Sequence, residues 1–204
     1  MREDLKLLFL KKVMLRLAGF FRNLSRFYIP NIFFIARGQL KLKNNLNCIQ
    51  RTLLTGKGRI DIGSNCSFGY KMGGFFYGAG IEIQARLPNS HIRIGHHLST
   101  NNNVFFCSSK SITLGDNCLI GQNVTIMDFE AHSIHPDFRN NVGEIGEVVL
   151  GDNIWIGNNV TILKNTFIGD NVIVAAGAVV SGTFEKNCII GGVPAKVIKY
   201  INID

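Results

Sequence analysis

Charge and cysteine pairing are what this chain of 204 residues has least of. Asp, Glu, Lys and Arg together make up 18% of it, against 46% hydrophobic residues, a balance that excludes a solvated, disordered chain. Its length suffices for one domain with a sizeable core. The five cysteines (Cys48, Cys66, Cys107, Cys118 and Cys188) form no CxxC pair and no zinc-ribbon spacing. They read as reduced thiols in a cytoplasmic protein. No uninterrupted apolar run approaches the roughly 20 residues that span a bilayer. The most apolar stretch, MREDLKLLFLKKVMLRLAGFFRNLSRFY, is cut by Lys6, Lys11, Lys12, Arg16, Arg22 and Arg26. The same interruptions, with no clean small-residue cleavage site after them, argue against a signal peptide.

That stretch is expected to be an amphipathic helix, and residues 1–48 are taken as a basic N-terminal segment in which Pro30 ends the helix. It has two readings. It lies on an anionic membrane surface, at the inner face of the membrane, or it packs on the main domain. The net charge of +8 is not read as nucleic-acid binding, because the basic residues cluster in this apolar leader and not among exposed aromatics.

From about Ile49 the composition changes to Gly, Asn, Ile, Val and Thr, and residues 49–204 are taken as a second unit. A period of six governs it. Leu150, Ile156, Ile162, Ile168 and Val174 head the repeats LGDNIW, IGNNVT, ILKNTF, IGDNVI and VAAGAV, and Val180 follows at the same spacing. The fifth position is small or β-branched, and positions two to four are rich in residues that tolerate left-handed backbone at a corner. Each repeat is then one short strand and one turn, and three repeats make one coil of a triangular prism with parallel ladders about 4.8 Å apart. LGDNCL and IGQNVT from Leu114 keep the register, and IGHHLS and IGSNCS carry it back to about Ile60. Cys66 and Cys118 fall on fifth positions and are expected to point inward. Sixth positions point outward; they hold Trp155, Phe167, Ile173 and Val179, of which Trp155 and Ile173 lie one coil apart. An exposed apolar stripe wants a cover, and a homotrimer of three-sided prisms supplies one. The register breaks once, at MDFEAHSIHPDFRNNVGEIGE, so residues 127–147 are expected to form an extruded loop with a functional role.

The repeats, the looped-out histidine after NVTI, the block LGDNIWIGNNV and the ending IIGGVPAKVIK together resemble the hexapeptide-repeat acetyltransferases. The likeness runs to the galactoside and maltose acetyltransferases and to the sugar O-acetyltransferases of polysaccharide biosynthesis, over roughly residues 94–199. The first ninety residues lack the acidic sugar-binding segment of the galactoside enzymes. The resemblance implies an all-β fold, a left-handed parallel β-helix, although parallel crossovers are otherwise right-handed. It also implies acetyl transfer from acetyl-CoA, as co-substrate, to a saccharide hydroxyl, with no metal. His132 matches the family's general base, with His135 as the alternative; a neutral imidazole suits that task. The base needs an orienting carboxylate or backbone carbonyl. Asp128, Glu130 and Glu144 are within reach in sequence, and Glu144 sits where the galactoside enzymes carry a glutamate. Asn101, first of three consecutive asparagines, matches the acceptor-site asparagine. For the donor, Asn158, Ala176, Gly177, Ser181 and Gly182 match contacts to the pantetheine arm. Lys196 and Lys199 match basic residues near the nucleotide phosphates, and Trp155 either walls the site or packs.

The expected function is therefore O-acetylation of a saccharide, lipid-linked or otherwise membrane-proximal, in cell-surface polysaccharide biosynthesis. Acetylation of an amino sugar or a xenobiotic is an alternative. So is a zinc enzyme of the γ-carbonic-anhydrase kind using His91, His96 and His97, and so is a non-catalytic β-solenoid scaffold.

Overall fold

The computed structural model describes residues 2–203. Helix α1 (Arg2–Asn23) leads through a π-helical turn, Leu24–Tyr28, to a second short helix, α2 (Ile32–Ala36). All that follows is strands and corners. An 11-stranded and an 8-stranded sheet wrap into a three-sided, parallel coil. Face 1 carries Leu40–Leu42, Arg59–Ile62, His91–Ile94, Ser111–Leu114 and Glu147–Leu150 in register. Face 2 carries Asn47–Cys48, Ser67–Phe68, Ser99–Thr100, Leu119–Ile120, Trp155–Ile156, Ile173–Val174 and Cys188–Gly192. Face 3 carries Thr52–Gly56, Ile81–Ala85, Phe105–Ser108 and Thr125–Met127. The long strands Thr161–Ile168 and Val179–Phe184 turn the edge from face 3 to face 1. The solenoid thus begins at Leu40, ahead of the Ile60 at which the repeats become readable.

The six-residue period has a simple cause. Positions five, six and one form a short strand, so they alternate inward, outward, inward. Ile154, Ile156, Val160, Ile162, Val172, Val174, Ala178 and Val180 are accordingly buried. Each large aliphatic so placed contributes about 1.5–3 kcal/mol. Position four turns the corner in the left-handed region. Asn65, Asn117, Asn153, Asn159 and Asn171 all have φ between 55° and 60°. Their side chains bond from coil to coil along the edges, Asn153 Nδ2 to Asn171 Oδ1 at 2.9 Å and Asn171 Nδ2 to Asn187 Oδ1 at 2.8 Å. Position three accepts from the backbone of the coil before, as Asp170 Oδ1 does from the Asp152 N–H at 2.8 Å. Position two is tight wherever it carries Gly. A Cβ on Gly151 would stand 2.2 Å from Asp170 Oδ1.

The five cysteines are free and buried. Burial pushes the thiols of Cys107 and Cys118 up to about 11 and that of Cys48 to about 12. Of the outward sixth positions, Trp155 and Ile173 do pair in neighbouring coils, and Leu119 extends the stripe on face 2. Phe167 lies on face 1 and Val179 on face 3 instead.

Candidate active site

Two excursions leave the coil, from different edges. Residues 128–146 leave the edge between faces 3 and 1. They form a narrow arm whose sides run antiparallel, with Glu130 N–H to Glu144 O at 2.9 Å and Ser133 N–H to Asn141 O at 2.8 Å. Asp128 roots the arm. Its buried carboxylate accepts from Ser108 Oγ (2.6 Å) and from the N–H groups of Ser109 (2.6 Å), Lys110 (3.0 Å) and Ser111 (2.6 Å). Lys164, one coil on, holds the other side, 2.5 Å from Glu144 Oε2 and 3.4 Å from Glu130 Oε1. Asn165 Nδ2 also donates to Glu144, at 3.2 Å. Lys164 draws the Glu144 carboxyl below its ordinary value, chiefly through that hydrogen bond, and Glu144 raises the Lys164 ammonium in return.

His132 is exposed on the arm, with Nδ1 2.7 Å from the carbonyl oxygen of Arg139. A carbonyl can only accept, so Nδ1 carries a proton, and in the neutral ring the lone pair is on Nε2. The orienting group is thus a backbone carbonyl. The carboxylates considered for that task are engaged otherwise: Asp128 at the root of the arm, Glu130 and Glu144 with Lys164. His135 differs from His132. Its Nδ1 accepts from the Asp137 N–H at 3.3 Å, capping the short turn Pro136–Phe138, and its ring lies 5.0 Å from that of Phe138.

The second excursion, residues 69–80, leaves the edge between faces 2 and 3 and was not anticipated from sequence. Two buried amides hold it. Gln50 Nε2 donates to the carbonyls of Phe75 (2.9 Å) and Ala79 (3.0 Å). Asn102 accepts from the Tyr70 N–H at 2.8 Å and donates to the carbonyls of Tyr70 (2.8 Å) and Gly74 (2.9 Å). The three adjacent asparagines therefore separate by role. Asn103 turns the corner at φ 57°, Asn102 holds the loop, and Asn101 faces a groove. That groove, about 370 Å³, runs along face 2 and brings Asn101 together with Trp155 and Asn158, beside Tyr70 and Leu119.

The remaining donor-site candidates continue along the solenoid. The Gly177 N–H donates to the Asn158 carbonyl at 2.9 Å, one coil apart on the same edge, and Ala176 precedes it. Gly177 has φ +75° and open space where a Cβ would stand. Ser181 and Gly182 lie on the other edge, where the arm emerges, with Gly182 paired to Thr166. Lys196 and Lys199 are exposed on the terminal antiparallel strand Ala195–Tyr200, opposite Gly191 and Ile189. Within one chain, then, the arm with His132 and the groove with Asn101 stand on opposite sides of face 3.

The histidines of the zinc reading have places in the coil. His96 occupies a third position and accepts from the Ser64 N–H at 3.0 Å, and His97 turns a corner at φ 58°. His91 meets Asp61 at 3.1 Å on face 1. Burial is the main cause that lowers its pKa. Among the described residues, no three His, Cys, Asp or Glu side chains converge.

Comparison with known proteins agrees with this architecture. The family model described as bacterial transferase hexapeptide (six repeats) matches residues 147–182, and the hexapeptide repeat of succinyl-transferase matches residues 108–127. Galactoside O-acetyltransferase of Escherichia coli (strain K12) is 37% identical over 115 residues, 55% of this chain and 56% of the relative's length. The match thus spans little more than half of that protein. WbbJ of the same strain, named as an O-acetyl transferase of lipopolysaccharide biosynthesis, is 31% identical over 139 residues, 63% of this chain and 69% of the relative. A solved galactoside acetyltransferase in complex with coenzyme A shares the fold at 22% identity and a TM-score of 0.55, over 86% of this chain and 72% of the other. The period-six coil, the single histidine-bearing arm and the extent of the match to WbbJ lead to one conclusion: the chain belongs to the hexapeptide-repeat acetyltransferases.

Proposed function

We propose that this protein transfers an acetyl group from acetyl-CoA to a hydroxyl of a saccharide in polysaccharide biosynthesis, using His132 as general base. The observation that carries the reading is the 2.7 Å contact between His132 Nδ1 and the Arg139 carbonyl, which in the neutral ring leaves Nε2 as the basic nitrogen on an exposed arm. Nε2 takes the acceptor's hydroxyl proton as its oxygen attacks the thioester carbonyl. The tetrahedral centre then collapses, the C–S bond breaks, and the imidazolium returns the proton to the departing sulfur. The products are the acetyl ester and free CoA thiol, and no proton is left over. The Asn101 amide suits the acceptor or the developing oxyanion. Glu144 serves by holding the arm through Lys164.

The donor would lie along the edge of Asn158, Ala176 and Gly177, where the open space at Gly177 suits a pantetheine chain. Lys196 and Lys199 offer point charges for its phosphates. Because the arm and the Asn101 groove lie on different edges of one chain, the reading includes a homotrimer in which the arm of one copy serves the groove of the next. The left-handed sense of the coil comes with the same reading. The biosynthetic role, with a lipid-linked acceptor on the cytoplasmic side, is supported by the name of WbbJ and by the basic N-terminal helix. Release of free thiol from acetyl-CoA tests it, measured against a panel of sugars, lipid-linked glycans and amines. Acceptor-dependent release that vanishes in His132→Ala is expected. A wild-type chain that releases thiol with amines alone would overturn hydroxyl acylation.

A further inference from the structure

The first helix does not pack on the body. Among the described residues, the hydrogen bonds that tie α1 to the solenoid come from its last two positions. Arg22 Nη2 bonds to Asn47 Oδ1 at 2.5 Å, and Asn23 bonds to the Leu46 carbonyl (2.7 Å) and the Cys48 N–H (2.9 Å). The turn after it is anchored firmly. Phe27 and Phe34 are buried, and Asn31 bridges to Thr52 O at 2.8 Å and to the Leu54 N–H at 2.7 Å. The helix is therefore presented from the N-terminal end of the solenoid on a fixed base.

What it presents has two faces. Leu10, Met14, Leu17, Phe20 and Phe21 recur at three- and four-residue spacing, so they line one side, and each is more than half exposed. Ile32 and Phe33 at the head of α2 are also exposed, Phe33 at 78%. Lys11, Lys12, Arg16 and Arg22 lie on the opposite side of α1, which also exposes Leu8 and Leu15, while Lys6 falls among the apolar side chains. Seven of the chain's 22 Lys and Arg fall in the first 28 residues, against two of its 14 Asp and Glu. No described helix is long and apolar enough to cross a membrane.

Uncovered apolar area on this scale needs an occupant. Packing three such helices together at the end of a trimer would bury the stripe but gather their cationic faces around it, with no acidic partners beyond the first turn. An anionic lipid surface satisfies both faces at once, taking the apolar side chains below its headgroups while the phosphates meet the lysines and arginines. We propose that α1 is an in-plane anchor for an anionic bilayer, inserting Leu10, Met14, Leu17, Phe20 and Phe21, and that the N-terminal end of the solenoid faces the membrane. This does not rest on the acyl-transfer reading, since lipid binding is measured without turnover.

The test is flotation of the full chain with vesicles of phosphatidylcholine alone and of phosphatidylcholine mixed with phosphatidylglycerol. Binding only to the anionic vesicles, weakening as salt is raised, is expected. Leu17→Glu with Phe20→Glu abolishes it, with the circular dichroism of the solenoid unchanged. Lys11→Gln with Lys12→Gln weakens it roughly 30-fold, at about 1 kcal/mol for each cation. A chain that stays unbound with phosphatidylglycerol present overturns the proposal, as does binding that the apolar-face pair leaves unaltered. If that pair instead breaks up an oligomer seen by light scattering while the unmodified chain ignores lipid, the stripe is a contact between copies.

Discussion

The Nδ1 atom of His132 and the carbonyl oxygen of Arg139 lie 2.7 Å apart across the arm, and that one contact sets which ring nitrogen is available as a base. Replacing His132 with Ala is expected to lower kcat by about two to four orders of magnitude, the usual worth of a positioned proton acceptor. Thermal unfolding should not move, because the ring is exposed. Near-normal turnover in the variant would rule out the assigned base.

A composite site makes a distinctive prediction. His132→Ala and Asn101→Ala each lose activity when made alone. In the proposed homotrimer, co-expression gives mixed trimers in which some interfaces pair an intact arm with an intact groove. Partial activity should return, and its absence in verified mixed trimers would place both residues in one chain's site.

The Glu144–Lys164 contact gives the arm a pH window. The Glu144 carboxyl is depressed in the fold, so its contribution is full above the ordinary glutamate value and is lost as pH falls through the depressed one. Lys164 is raised, so its contribution is full below the ordinary lysine value and is lost as pH climbs through the raised one. Protection of the arm amides, taken relative to their intrinsic exchange at each pH, should therefore be greatest in the broad neutral range and should fall in acid. Salt should lower that protection across the same range, since the Glu144 end of the pair is exposed. Protection in Lys164→Met equal to that of the unmodified chain would count against this anchor.

Two glycines separate space from backbone. Gly151→Ala puts a Cβ against Asp170 Oδ1, which already accepts from the Asp152 N–H, so overpacking should cost about 1–3 kcal/mol. Gly177→Ala meets no atom within 4 Å but holds φ +75°, so its cost should be about 1–2 kcal/mol, from the backbone alone. Urea unfolding measures both. A harmless Gly151→Ala would mean that the coils are farther apart than described.

All five thiols are buried, and burial raises those of Cys48, Cys107 and Cys118 to about 11 or 12, so a disulfide reagent should label none in the folded chain and five in denaturant. Rapid labelling of any thiol without denaturant would contradict the inward packing of Cys66 or its counterparts.

The regular coils were legible because a period-six strand repeats both its inward residues and its corner residues, as in LGDNIWIGNNV. The arm was legible for the converse reason, since twenty residues without a leading aliphatic cannot stay on the prism. The first coil was not. Leu40, Leu42 and Cys48 take inward or partly inward positions, but the corners between them lack the Gly–Asp–Asn spelling. The excursion over 69–80 hid in the weak repeats before Ile94, although its run of glycines and aromatics, YKMGGFFYGAG, marks it in retrospect. The partner of Glu144 could not be read at all. Lys164 lies 20 residues away and meets it only because the arm returns to the edge it left.

The edge between faces 1 and 2 carries no excursion, and its corner asparagines run from Asn45 to Asn187. From Asn65 onward the N–H at the fourth position of each of these corners reaches back to a carbonyl of the preceding coil, Asn153 to Asp116 and Asn171 to Asp152 among them. This edge works as a zip fastener, in which each tooth is set by the one before. Lengthening the protein is then quantised. A whole turn can be inserted or deleted without disturbing the teeth, but a single residue added along this line would throw every later side chain onto the wrong face. New chemistry has room to grow only at the two other edges, and both of the chain's loops are found there.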